Sequence, residues 1–314
     1  MRTSGAGQGV RNGDDWQDDS FWTATGADGL RVCATTHPDS GVLTRFFLGY
    51  DRAFILPDER EEMAGFRRCL ALNGAWRHAF GRTHCELVAT FEDSAGELLG
   101  GANFLATALN GSADNPSVAV ALNYIFTETA ARGKGLLRRM LAVVGDLALR
   151  AVDVTATSAG RYNRPALFIE QNDPLRLTQE EYRRDSDYSG TDQLDRLSIW
   201  ARVGARILDF PYEQPALSAN QAPDDRLLYA AVSYPGDAVP AWLLHDHLES
   251  FFAISVLKGR DPGIDAVAKK QLTVLKKSEE IALLDVVPAL ERLRSECGAW
   301  TAPDLRTASK SYRP

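Results

Sequence analysis

The chain has no paired cysteines, no long apolar run and no excess of positive charge, and each absence excludes a class of protein. Its four cysteines, Cys33, Cys69, Cys85 and Cys297, stand singly with no C-x-x-C spacing. That pattern suits reduced thiols in a cytoplasm and gives no reason to expect a metal site. His245 and His247, two residues apart, cannot share one helix face, which also argues against a metal there. No window approaches the roughly 20 consecutive apolar residues of a membrane span, so no membrane partner is expected. Lys and Arg total 35 against 42 Asp and Glu, a net charge of −7. Such a balance disfavours a general polyanion-binding surface and nucleic acid as a partner. Residues 1–28 hold Asp14, Asp15, Asp18 and Asp19 where an apolar segment would be needed. They read as a flexible arm and not as a signal peptide, and the expectation is a cytoplasmic protein.

Apolar residues make up 45% of the 314, enough for a large core or for one domain with an extension. The most informative stretch is Arg132-Gly133-Lys134-Gly135. It lies between an alternating run from Val118 to Phe126 and an amphipathic run from Leu136 to Val152. The order reads strand, tight basic turn, helix. Backbone N–H groups at such a helix start converge on an anion, and Arg132, Lys134, Arg138 and Arg139 add positive charge, so a phosphate-bearing ligand is expected. A Walker A loop would need glycine at Glu128 and Ser or Thr at Gly135, and a dinucleotide fingerprint would need glycine at Leu136. Both are excluded.

Around this turn the runs 84–91 and 98–106 flank Asp93-Ser94-Ala95-Gly96-Glu97 as a hairpin. Pro165 to Glu170 reads as a short buried strand, and the helical run from Arg196 ends in Trp200-Ala201-Arg202-Val203-Gly204. In this order the elements, over about Leu43 to Tyr234, resemble the GNAT superfamily of acyl-CoA-dependent N-acyltransferases. Arg132, Gly133, Lys134, Gly135 and Leu136 fit its pyrophosphate-loop pattern, whereas Leu137 stands where a small residue is usual. The resemblance implies an α/β fold with a mixed, mostly antiparallel central sheet flanked by helices. It also implies acetyl-CoA as co-substrate and direct transfer of an acyl group to an amine of a small molecule. A non-catalytic acyl-CoA sensor or assembly subunit, and an enzyme of the same fold working by O-acylation or decarboxylation, are the alternatives.

The resemblance further implies that Ile125, Phe126, Thr127, Arg132, Gly133, Lys134, Gly135, Leu136, Leu137 and Arg138 bind the cofactor. Backbone groups near Tyr124 to Thr127 would be left free by a splay between two strands, one of them an oxyanion donor. Glu170 and Glu128, each at a strand end, are candidate bases, with His84, Asp173 and Glu213 open; a carboxylate serves an ammonium best with a pKa raised by burial. The family's acid is a Tyr four residues before the last glycine, but Trp200 holds that place, and an indole N–H cannot supply a proton near neutral pH. Tyr124, Tyr212 or Tyr229 would substitute, or the thiolate would leave unaided. Asn123, Asn172 and Gln214 are candidate acceptor contacts, as are residues near Phe66, Arg67, Arg68, Trp76, Arg77 and His78.

Leu43 to Ile55 is expected as the first strand, and a helix is expected to open at Pro57 and run through Met63, Phe66 and Leu70. The acidic insertion 173–196 carries a helix capped by Thr178 with Glu181 completing a capping box, either a plain insertion or a lid. After Tyr234 three amphipathic runs, Trp242 to Leu257, Ala266 to Lys276 and Val286 to Cys297, predict a helical extension over 237–314, packed on the 29–236 domain and without strands of its own. It would cover a sheet face or build a homodimer contact.

Overall fold

The computed structural model describes residues 21–26, 28–54, 60–109, 115–152, 164–218, 221–296 and 301–311. Strands β1 (Phe21–Thr25) and β2 (Arg31–Thr35) lead into helices α1 (Gly41–Ala53) and α2 (Met63–Ala75). The hairpin β3 (His84–Glu92) and β4 (Leu98–Ala108) precedes β5 (Val118–Thr127), α3 (Leu136–Ala151) and β6 (Ala166–Asn172). Then come α4 (Gln179–Ser189), α5 (Gln193–Arg202), β7 (Ala205–Leu208) and β8 (Leu227–Val232). The last third holds β9 (Ala238–Pro240), α6 (Ala241–Phe251), α7 (Ala266–Leu275), β10 (Glu280–Leu284), α8 (Val287–Ser295) and α9 (Leu305–Lys310). Together the strands form one sheet in the order β1-β2-β3-β4-β5-β6-β8-β7-β10-β9.

Three expectations are corrected here. The stretch read as a first strand is α1: its buried Val42, Leu43, Phe46, Gly49 and Tyr50 recur at three and four, and Ser40 caps it by accepting from the Val42 N–H. Aromatic and aliphatic content suggested a strand, but the helical period decided the outcome. The arm expected over 1–28 ends earlier, because Phe21–Thr25 pairs antiparallel with β2; residues 1–20 and the helix opening expected at Pro57 lie outside the described residues. The extension after 236 carries α6 to α9 as helices, yet it also adds β10 and β9 to the sheet edge beside β7. Those strands have three and five residues, too short for a periodicity to register.

The two faces of the sheet bury different helices. On one, Met140, Val144 and Leu147 of α3 pack with Leu87, Phe104 and Val120. On the other, α1 and α2 bring Phe46, Tyr50 and Phe66 against Val88 and Phe126, and α6 packs Leu244, Leu248 and Phe251 against Leu105, Ala121 and Phe168. The ring of Phe126 fills a space that Gly101 leaves open: a Cβ there would lie 2.7 Å from both Phe126 and Phe46, nearer than atoms can pack.

Candidate functional site

The parallel pair β5 and β6 runs in register only from Ala119↔Ala166 to Leu122↔Ile169. Beyond that point β5 continues against β4 and β6 against β8, so the strands part. A bulge drives the separation. Asn103 pairs with Tyr124 and Phe104 with Leu122, leaving Asn123 as the extra residue that bends β5. The gap opens into a cavity of about 950 Å³ bordered by Asn123 to Thr127, by Arg132, Gly133 and Gly135 to Arg138, and by Glu170, Asn172 and Gln214.

At one end of this cavity stands the head of α3. Gly133 and Gly135 both have left-handed backbone, φ 76° and 74°, which only glycine adopts without strain. No side chain caps the helix, and its first N–H groups have no partner within it. Arg132 donates to the carbonyls of Thr127, at 3.4 Å, and Ser189, at 3.2 Å; Arg138 donates to the Arg202 carbonyl at 3.2 Å. These contacts hold two guanidinium groups beside the turn and bring the end of α4 over it. The helix in the acidic insertion has the expected capping box between Thr178 and Glu181, and its Arg184 and Ser189 border the cavity.

Two buried carboxyl groups, Glu170 and Glu86, border the same cavity. Glu170 accepts from the Tyr212 hydroxyl and from Gln214 Nε2 at 3.0 and 3.1 Å. Burial pushes its pKa up to about 7, with the two hydrogen bonds pulling the other way. Glu86, on β3, was not a candidate from sequence. It accepts from Asn103 Nδ2 at 2.6 Å, Asn123 Nδ2 at 2.9 Å and Ser255 Oγ at 2.9 Å, and burial raises it to about 7 as well. The clue was present: Glu86 and Asn103 are polar residues inside strands that are buried along nearly their whole length, and buried polar groups require partners. Ser255 comes from Phe252–Val256, a π-helical turn continuing α6, a distortion frequent at functional sites that no sequence pattern announced.

Several candidates lie elsewhere. Glu128 faces away from this cavity, paired with Arg52, and lines a separate surface depression with Lys134, whose Nζ donates to the Ala130 carbonyl at 3.0 Å. Tyr212 is buried and reaches the site only through Glu170. Tyr229 is buried against His247 Nε2 at 2.6 Å. Tyr124 borders the cavity, but burial drives its hydroxyl well above 10. Phe126 offers backbone to the cavity while its ring sits in the core beside Phe46. Asp173 is buried and accepts from the backbone N–H groups of Leu305 and Leu175, an anchor for α9. His245, Asp246 and Glu249 hold ligand atoms within 4.8 Å of one another, and Arg82 already pairs with both carboxylates. Among the described residues no helix is long and apolar enough to cross a membrane.

No family model matches the chain, and no curated protein matches it in sequence. Solved structures similar to it include a candidate phosphinothricin N-acetyltransferase, 16% identical over 66% of this chain and 99% of that one, TM-score 0.34. A spermidine N-acetyltransferase variant from Vibrio cholerae is 11% identical over 65% and 94%, TM-score 0.32. A GCN5-related N-acetyltransferase from Kribbella flavida is 15% identical over 66% and 98%, TM-score 0.30. The mixed sheet, the parting of β5 from β6 and the glycine turn heading α3 are the fold features that the resemblance to the GNAT superfamily implies.

Proposed function

We propose that the protein transfers an acetyl group from acetyl-CoA directly to an amine of a small molecule. The observation that carries this reading is that one cavity is bordered both by the donor-rich head of α3, with Arg132 and Arg138, and by the buried carboxyl of Glu170. The pyrophosphate of CoA binds the first-turn amides of α3 with Arg132 and Arg138 alongside. Its pantetheine arm pairs with the β5 edge from Tyr124 to Thr127, and one N–H of that edge donates to the thioester oxygen as it gains charge.

The amine nitrogen attacks the thioester carbonyl carbon, forming the C–N bond, and the C–S bond then breaks as the thiolate departs. The amine's surplus proton passes to Glu170, directly or through one water. With a carboxyl pKa near 7, Glu170 is ionised often enough to accept a proton and basic enough to take it from an ammonium. Trp200 borders the cavity where an acid would be expected, and the thiolate leaves without a dedicated proton donor, which an ordinary thiol pKa near 8.5 permits.

Trp200 also favours a second reading, an acyl-CoA sensor that binds without turnover. Incubation with acetyl-CoA and a panel of primary amines separates the two: the enzyme releases thiol and forms an equal amount of amide. Tight CoA binding with no thiol released above the amine-free rate would favour the sensor.

A further inference from the structure

Glu86 and Glu170 lie on the same face of the sheet and border the same cavity, one on β3 and the other on β6. Among the described residues neither is paired with a cationic side chain: Glu86 has only Asn103, Asn123 and Ser255 as partners, and Glu170 only Tyr212 and Gln214. The proposed chemistry uses Glu170 and leaves Glu86 without a task.

The hydrogen-bond inventory around Glu86 is incomplete in an instructive way. A carboxylate offers about four acceptor sites; Asn103 and Asn123 occupy those of Oε1, and Ser255 takes one on Oε2. Asn123 spends its amide on Glu86 and on Asn103 Oδ1, at 3.1 Å, which leaves its own Oδ1 to find a donor elsewhere. That oxygen is buried with no partner, on a residue that borders the cavity at the point where β5 bends. Glu86 Oε2 thus keeps an open acceptor site and Asn123 Oδ1 has no donor, and a buried polar atom left unmatched is costly. A ligand group that completes both must carry at least two N–H donors, and beside a carboxylate a cationic one is favoured.

We propose that Glu86 and Asn123 form a second subsite for a protonated nitrogen, so that the acceptor is a diamine whose reacting amine lies at Glu170 and whose other ammonium is held by Glu86 and the Asn123 carbonyl. This rests on the acetyltransferase reading for the role of Glu170, though not for the existence of the subsite. Three strand spacings separate β3 from β6, roughly 14 Å between backbones where the strands pair, and Glu170 lies one residue beyond the last β5–β6 pair. Ser255 makes the last third of the chain part of the subsite, holding Oε2 of Glu86 while Asn103 and Asn123 hold Oε1. Burial raises the Glu86 pKa, and an ammonium bound beside it favours the ionised form.

The test compares linear α,ω-diamines of about four to eight carbons with the monoamines of equal length, by calorimetry with CoA saturating the protein. The diamine of best length is expected to bind roughly ten-fold more tightly than its monoamine, and Glu86→Gln to bring that ratio to about one. Glutamine preserves the shape: its carbonyl accepts from both asparagines and its amide donates to Ser255. Should that variant melt well below the wild type, Ser255→Ala, which frees one acceptor site on the carboxylate and leaves the charge, is expected to raise the ratio. Equal binding of diamine and monoamine by the wild type, a preference that survives Glu86→Gln in a folded variant, or a ratio unchanged by Ser255→Ala overturns the inference. Thiol release distinguishes the two claims: Glu86-dependent diamine binding without acetyl transfer refutes the enzymatic reading alone, and turnover of monoamines and diamines alike refutes the subsite alone.

Discussion

Burial of Glu170 and Glu86 has two separable consequences, one for rate and one for stability. Both carboxyls titrate near 7 in the folded chain against an ordinary value of 4.5. Between those values the folded chain binds more protons than the unfolded one, so this contribution to stability is complete below about 4.5 and is lost as pH rises through about 7. The rate runs in the opposite direction, because a base must be ionised. Acetyl transfer under kcat/KM conditions is expected to climb with pH and level off above about 7, and Glu170→Gln to lower kcat by roughly 10²- to 10⁴-fold while flattening that limb. A pH–rate profile of both forms checks this; an unchanged limb in the variant would assign the proton to another group. Glu170 was legible in sequence, because four polar residues follow an apolar strand there. Glu86 was not, because its partners come from β4, β5 and the π-turn, and no linear pattern reports three neighbours brought together by folding.

At the scale of elements, the most legible unit was β5, turn and α3, since alternation, glycine and amphipathic period all occur within 35 contiguous residues, 118–152. The insertion helix was legible for the same reason, its capping box being a local code. The α1 stretch was misread because aromatic residues suit either element, and the parting of β5 from β6 was expected only through the family resemblance. The cause of that parting, an extra residue at Asn123, depends on the register with β4 and is invisible in either strand alone. The turn allows a two-variant experiment. Gly135→Ala and Gly135→Glu share the cost of a side chain at φ 74°, about 1–2 kcal/mol, and nothing lies within 4 Å of an added Cβ. Only the glutamate would set a negative charge against a pyrophosphate bound as proposed. CoA affinity by calorimetry is therefore expected to fall about 100-fold further in the glutamate variant than in the alanine variant, while thermal melts of the two nearly coincide. Equal loss in both variants would trace the effect to turn geometry and remove the phosphate from this helix.

At the scale of the whole molecule, the expected boundary near residue 236 is not matched by a break in the packing. Leu105, Ala121 and Phe168 of the first part share one buried cluster with Leu244, Leu248 and Phe252 of the last, and β10 pairs with β7. The short strands that make this junction were unreadable, and the shared cluster joins residues more than 100 positions apart, beyond any local pattern. We therefore expect the part after 236 to unfold together with the sheet and not as an appendage. Phe252 tests this well: it is fully buried, lies 6.2 Å from the Tyr212 ring and begins the π-turn that carries Ser255. Phe252→Ala should cost about 3–5 kcal/mol and leave a single cooperative transition in denaturant. Hydrogen exchange is the decisive readout, because it resolves segments. If one core holds the chain together, amides of β3 to β5 and of α6 lose protection by the same free energy, since exchange from both then proceeds through global unfolding. Protection retained in β3 to β5 while α6 opens would mean that the sheet stands alone, and that Ser255 is supplied to Glu86 by a separately folding unit.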